Sequence, residues 1–291
     1  MQQEQDRGFS FSALGLGLVT ASLAECFYSS AGAYGARSIL LLGFLSTAGL
    51  AAAAGLFAAL AEKFGLFSGQ GFLPKLAGWG FFAWFALETG RTIAAAQIVC
   101  REHFGSNALI AVLPVLLLVS WQMNGSALDR SARAIWWLLA AGILACLAGL
   151  WDQMHWHRLF GAEDPSLWAD GWPKILIYPE YFALPLLCQG KKVRRGTLLP
   201  FWSYAVQAGY AFVLELVLGQ AAGPDYSGLE LLRAWALGYF SRLDALLLLL
   251  WLAAALWRIC LLAFVLRTLW QRNSGMEKNA CIRNQNKGAQ T

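Results

Sequence analysis

The chain has 291 residues, 58% of them hydrophobic and 13% charged, with a mean hydropathy of +0.51 and a formal net charge of +5. Soluble domains carry about 25% charged residues, and a chain of this size cannot hide so much apolar surface in one core. The composition excludes a soluble globular enzyme, a disordered chain, a disulfide scaffold and a nucleic-acid binder with a basic face. It leaves an all-α polytopic membrane protein, because only closed hydrogen-bonding elements cross a bilayer.

Six scattered cysteines with no CxxC spacing indicate neither a structural zinc nor a disulfide framework. His155-x-His157, with Asp152 and Asp164, has no zinc-like ligand spacing. No phosphate-binding loop, dinucleotide fingerprint, nucleophile elbow or H-E-x-x-H run is present. The sequence therefore predicts no metal, no cofactor and no catalytic residue.

A membrane span takes roughly 20 mostly apolar residues, and eight segments qualify in chain order. Met1 to Ser10 carries Glu4, Asp6 and Arg7 and does not read as a secretory signal. Span 1, residues 11–33, is rich in small and hydroxyl residues: Gly15, Gly17, Ser22, Ser29, Ser30 and Gly32. Two readings stand side by side. Small residues let helices approach closely, or the stretch from Ala24 to Ser30 is an unwound polar turn facing a solute, with Glu25 and Ser29 in it.

Span 2 covers 38–61 and span 3 covers 76–100. Span 3 carries Glu88 and Arg91, three residues apart on one helix face, where they can pair with each other or meet a ligand. Span 4 is 106–122 and span 5 is 134–151, followed by an acidic loop from Asp152 to Pro173. Span 6, residues 175–189, is about 22 Å long if helical and contains Pro179 and Pro185 around Glu180 and Tyr181. A short span with prolines beside a carboxylate points to a discontinuous helix lining a midplane site; the plain alternative is a kinked helix with a packed, neutral Glu180. Span 7 is 199–219, with Glu215 near its end. Leucines and Trp235 within 220–237 suggest an amphipathic helix lying at the interface. Span 8 is 240–268 and carries Arg258. Residues 1–270 thus form one transmembrane domain, and 271–291 a polar tail without order.

Six ionisable residues sit inside apolar spans: Glu25, Glu88, Arg91, Glu180, Glu215 and Arg258. Each costs about 2.5–3.5 kcal/mol at mid-bilayer on an insertion scale, so such residues mark bundle interiors or wet cavities. Outside the spans, fourteen Lys and Arg fall on one side and six on the other, with Arg91 and Arg258 embedded, which accounts for all 22. The richer side is cytoplasmic, which places both termini in the cytoplasm. Trp121, Trp136, Trp151, Trp172, Trp202 and Trp270, near span ends, suit the interfacial aromatic belt.

Several stretches resemble spore germination permeases, the GerAB-type B subunits of nutrient germinant receptors, within the amino acid–polyamine–organocation transporter superfamily. Phe81 to Arg91, ending Glu88-Thr89-Gly90-Arg91, resembles that family's third-helix segment. Asp129-Arg130-Ser131-Ala132-Arg133 resembles its short cytoplasmic turn before helix 5. Pro179-Glu180-Tyr181 through Lys191-Lys192 is similar to its acidic, broken sixth helix and the basic loop that follows, and Gly238 to Asp244 to the opening of its eighth. The resemblance implies a five-plus-five inverted repeat (LeuT-like) with helices 1 and 6 broken, here partial: eight helices against the family's ten. It implies a solute site lined by helices 1, 3, 6 and 8, drawing on Glu25, Ser29, Glu88, Arg91, Pro179, Glu180, Tyr181 and Arg258. Helix 1 differs, reading Ala24-Glu25-Cys26-Phe27-Tyr28-Ser29-Ser30 where the family has Gly-x-Gly and then Leu-Pro-Arg.

The function that follows is a multipass subunit in the bacterial cell membrane or spore inner membrane, binding a small nutrient such as an amino acid. Its partners would be the A and C receptor subunits and the lipid bilayer, with no nucleic acid. Two other readings compete: a proton-coupled amino acid permease, and a degenerate membrane scaffold with no solute site.

Overall fold

The structure, a computed structural model, describes residues 11–28, 36–67, 71–105, 107–160, 179–187, 196–219, 231 and 243–274. Among these residues every regular element is helical. In chain order they are α1 (Phe11–Tyr28), α2 (Ala36–Lys63), α3 (Phe72–Phe104), α4 (Ala108–Gln122), α5 (Gly125–Leu150), α6 (Leu184–Leu187), α7 (Leu199–Leu218) and α8 (Leu243–Asn273). Short 3-10 turns cover Trp151–Gln153 and Trp156–Phe160, and a third, Pro179–Ala183, runs directly into α6.

Four helices are long and apolar enough to cross a membrane: α2, α5, α7 and α8. Their outward faces carry large exposed apolar side chains, among them Leu56, Trp137, Leu144, Trp202 and Leu249. Such a belt suits lipid and would be a liability in water. The eight-span expectation is met by composition and length in these four. The 15 residues of α4 reach about 22 Å against a hydrocarbon core of about 30 Å. The 33-residue α3 is long enough, but Lys75, Glu88, Arg91, Gln97 and Arg101 dilute its apolar character. In the sixth segment the described residues amount to 179–187.

Several boundaries differ from the sequence reading. The expected turn Asp129–Arg133 is not a turn: α5 begins at Gly125, and Arg133 pairs with Asp129 one helical turn away. A charged i,i+4 pair supports a helix, so α5 extends beyond its apolar stretch, and the turn is confined to Met123 and Asn124. At the other end of the chain α8 stays helical through Asn273, so the first residues of the expected tail belong to the helix. α1 is helical through Tyr28, which leaves no break between Ala24 and Tyr28. Ser29, Ser30, the acidic loop beyond Phe160, the expected interfacial segment apart from Leu231, and the tail beyond Ser274 lie outside the described residues. Leu231 itself packs with Leu150 and Val217.

α8 is the central helix, buried over most of its length, whereas α5 turns nearly all its apolar surface outward. α8 packs chiefly on α3 and also meets α1, α4 and α5; α1 packs on α5, α7 and α8, and α2 on α7. Small residues set the closest approach. A Cβ on Gly17 would stand 2.1 Å from the Trp257 ring, so glycine lets α1 lie against α8 at the point where the Trp257 indole donates to Ser131 Oγ of α5 at 3.2 Å. This is the close-approach reading of the small residues in span 1.

The loops sort to two ends. At one, Arg272 donates to the Phe67 carbonyl at 2.7 Å and Arg267 to the Met123 carbonyl at 3.1 Å, so the α2–α3 and α4–α5 connections sit with the C-terminal end of α8. At the other, His155 N–H donates to the Leu216 carbonyl at 3.0 Å and Arg158 donates to the Val217 carbonyl, beside Gly219, whose φ of 60° calls for glycine. Trp121, Trp151, Trp202 and Trp270 are exposed at or beside helix ends, as an interfacial belt requires. Trp172 lies outside the described residues.

Candidate functional site

Two apolar clusters divide the bundle along its length. One gathers Leu14, Leu18, Phe85, Leu128, Tyr181, Leu184, Trp257 and Leu261; the other Ala24, Ala96, Val99, Leu109, Leu139, Trp251 and Ala255. Between them on α3 and α8 stand Glu88 and Arg258. Glu88 is the central residue of the 33 in α3 and Arg258 the central residue of the 31 in α8. A helix long enough to cross a membrane places such a residue near mid-bilayer.

Arg258 joins three elements. Its Nε donates to Glu180 Oε1 at 2.5 Å and its Nη2 to Glu88 Oε1 at 3.1 Å. The side chains of Arg258 and Glu180 are 1% and 2% exposed, and that of Glu88 10%. A guanidinium is well suited to this position, since it stays charged and presents several donors in a fixed plane. Glu88 Oε2 makes a long 3.5 Å contact with Arg91, whose side chain is exposed. The expected Glu88–Arg91 pair therefore exists as the outer arm of a larger cluster. Its inner arm, to Arg258, spans 170 positions of sequence.

Glu180 lies in a 3-10 turn, Pro179–Ala183, that runs into the α-helical residues Leu184–Leu187 of α6, and the chain on either side lies outside the described residues. Tyr181, next to it, is buried and shares a hydrogen bond between its hydroxyl and Ser203 Oγ of α7. Glu180 Oε2 is buried and has no hydrogen-bond partner among the described residues. A buried acceptor without a donor costs about 1–3 kcal/mol, more for a charged group. Glu88, Glu180 and Arg258 sum to −1, and Arg91 on the outer arm brings the connected cluster to zero.

The elements that carry the cluster also carry a group of aromatic rings in mutual contact. Trp84 lies one turn before Glu88 on α3 and its ring centroid is 5.5 Å from that of Phe182, two residues after Glu180. Phe182 also meets Phe57 of α2 at 5.7 Å, and Trp84 meets Phe81 and Phe85 at 5.8 and 5.9 Å.

Of the residues singled out in the sequence, Glu88, Arg91, Glu180 and Arg258 form one connected cluster, and Tyr181 lies beside it. Pro179 starts the turn that positions Glu180. Glu25 is on the helical backbone of α1, but its side chain lies outside the described residues, as does Ser29. Glu215 is half-buried on α7. Sequence reasoning missed Ser203, Trp84 and Phe182. Ser203 had a signal: with Gln207 it forms a polar i,i+4 pair in an otherwise apolar span. The aromatic residues had none, since a Trp or Phe in an apolar helix is ordinary packing.

No family model, no curated protein and no solved structure matches the chain.

Proposed function

We propose that this chain is the membrane-embedded subunit of a spore nutrient germinant receptor. It would have eight membrane segments in a partial five-plus-five inverted repeat and bind a small nutrient, an amino acid, near mid-bilayer. The observation that carries the reading is the convergence of Glu88, Arg258 and Glu180 from α3, α8 and the 3-10 turn of the sixth segment. These are three of the four elements to which the family resemblance assigns the solute site, and the fourth, α1, packs directly on α8. Three charged groups held between apolar clusters are costly unless they serve a purpose. An incompletely satisfied carboxylate in a 3-10 turn fits a ligand-receiving site. Binding there would favour one packing of α8 against α3 and the sixth segment over another, and partner A and C subunits would sense that shift.

Deletion of the gene in a sporulating host tests this reading. Spores lacking it should lose the germination response to at least one amino acid and recover it on complementation. Unchanged germination across a full amino acid panel would overturn the receptor assignment.

A further inference from the structure

We infer that the outward face of α3, centred on Arg91, docks a membrane helix of another polypeptide, one that carries a carboxylate near mid-bilayer opposite this arginine. The docking is independent of whether the buried cluster takes a solute. Embedded charges face a bundle interior or a wet cavity, because lipid offers them no partner. Arg258, Glu180 and Glu88 obey that rule at 1%, 2% and 10% exposure, but the Arg91 side chain is 82% exposed. α3 runs antiparallel along the membrane-length α8: Trp79 meets Trp270 at 5.4 Å between ring centroids, and Glu88 meets Arg258 at 3.1 Å. Arg91 thus stands about 4.5 Å along the axis from the middle of α3, at about 1.5 Å per residue. A helical Cβ leans toward the N-terminus, which turns the side chain back toward mid-bilayer, where its Nη1 lies 3.5 Å from Glu88 Oε2. That contact is long and engages one nitrogen of a group with several donors. Arg91 brings the connected cluster to formal neutrality, but neutrality does not hydrogen-bond its outward donors, and lipid tails accept none.

The face around Arg91 suits a helix. Gly80, Ala83, Leu87, Gly90, Ala94 and Ile98 recur at three- and four-residue spacing and are all exposed. Leu87 and Ile98 put large apolar side chains on either side of Arg91, unlike the wall of a wet cavity. A Cβ on Gly80 or Gly90 would meet nothing within 4 Å, so packing within the described chain does not call for glycine there, although glycine weakens a helix interior. Small residues let a neighbouring backbone come close, and a planar guanidinium pairs best with a carboxylate, through bidentate hydrogen bonds. A second copy does not supply it. Two-fold pairing of this face sets Arg91 against Arg91, a repulsion that a low dielectric magnifies. Among the described residues no other face offers an exposed carboxylate near mid-span: Glu62 and Asp152 are at or beside helix ends, and Glu215 is half-buried one turn from the end of α7. Lipid phosphates lie about 15 Å from mid-bilayer, beyond the span of an arginine side chain that is directed inward.

The test uses the purified full-length chain in phosphatidylcholine vesicles with labelled transmembrane peptides. All share a leucine–alanine host sequence with alanines along one face, and they differ only at the central residue, which is Glu, Gln, Leu or Lys. Energy transfer between chain and peptide reads association. The Glu peptide should bind saturably and roughly tenfold more tightly than the Leu peptide, and the Lys peptide least of all. Arg91→Leu, at an exposed side chain, should abolish the advantage of Glu over Leu. Gly90→Leu keeps the charge and has open space around its Cβ; it should weaken the Glu peptide severalfold by holding the helices apart, and it carries the test if Arg91→Leu does not fold. A Glu advantage that survives Arg91→Leu, or peptides that all bind alike or not at all, would overturn the inference. So would energy transfer between two differently labelled copies of the chain that Arg91→Leu removes, which would assign the face to a second copy. Loss of the Glu advantage in vesicles containing phosphatidylglycerol would overturn it in favour of lipid phosphate. Titration of the same vesicles with an amino acid panel reads the buried cluster separately, so the solute site and the docking face can fail one without the other.

Discussion

Arg258 Nε stands 2.5 Å from Glu180 Oε1, and the two side chains, 78 positions apart in sequence, are almost wholly enclosed. The guanidinium also holds Glu88, so one residue at the centre of α8 ties α3 and the 3-10 turn at Glu180 to the same point. Removing it strands the buried Glu180 carboxylate and leaves Glu88 only its long contact with Arg91. Breaking a buried ion pair from one side costs about 3–5 kcal/mol, whereas replacing every charged member by neutral groups is often close to neutral. Arg258→Met should therefore lower stability by about that amount in denaturant titration of the detergent-solubilised protein. Combining it with Glu88→Gln and Glu180→Gln should restore much of the loss. A triple variant no more stable than the single one would show that the three charges are not energetically coupled.

Two glycines on neighbouring helices make a paired prediction. Alanine at Gly49 meets nothing within 4 Å, so Gly49→Ala should stabilise α2 by about 0.5–1 kcal/mol through reduced backbone entropy. Alanine at Gly17 meets three atoms of the buried Trp257 ring, the nearest at 2.1 Å. The ring is rigid and enclosed, so α1 must move away from α8, and overpacking of this kind costs about 1–3 kcal/mol. Gly17→Ala should be destabilising despite its better helix propensity, and trimming Trp257 to Leu should relieve part of the effect. Thermal melts of the two single variants, read side by side, decide the point.

Arg267 and Arg272 close the end of the bundle at which the α2–α3 and α4–α5 connections meet α8. Each donates to a backbone carbonyl in a short connection, where a helix end leaves acceptors unmatched. Arg272→Gln should cost about 1–2 kcal/mol and speed amide exchange at 64–67 while leaving 123–124 unchanged. Arg267→Gln should do the reverse. Exchange rising equally at both connections in either variant would mean that the two contacts act as one unit.

The sequence conveyed the helices better than their ends. Apolar runs located α2, α7 and α8 because burial in the bundle and contact with lipid both select apolar side chains. They misplaced the start of α5, because backbone hydrogen bonding continues through Asp129 and Arg133, where hydropathy has already fallen. The charged cluster was legible as a set of residues out of place, since Glu88, Glu180 and Arg258 each violate the apolar pattern. Its wiring was not. Local spacing could offer Glu88 only Arg91, while the stronger partner comes from a helix 170 positions away, and nothing in a linear pattern reports which helices pack together. The 3-10 turn at Glu180 opens at Pro179, in keeping with the local action of proline on the backbone.

The two sets of loop contacts fix which connections share an end, and lysine and arginine counts say which end is cytoplasmic. Both ideas can be checked with single cysteines in a cysteine-free background, labelled in intact cells by a membrane-impermeant maleimide. Lys63, Asn124 and Ser274 are exposed at the end where Arg267 and Arg272 reach their carbonyls. Asn107 and Asp152 are exposed toward the opposite end, Asp152 next to the turn where His155 meets Leu216. Cysteines at 107 and 152 should react from outside, whereas those at 63, 124 and 274 should react only after permeabilisation. Uniform reversal of the two groups would keep the helix order and invert the orientation. Mixed labelling within either group would mean that a segment between the differing positions does not cross the bilayer, and the sorting of connections to two ends would not correspond to the two membrane faces.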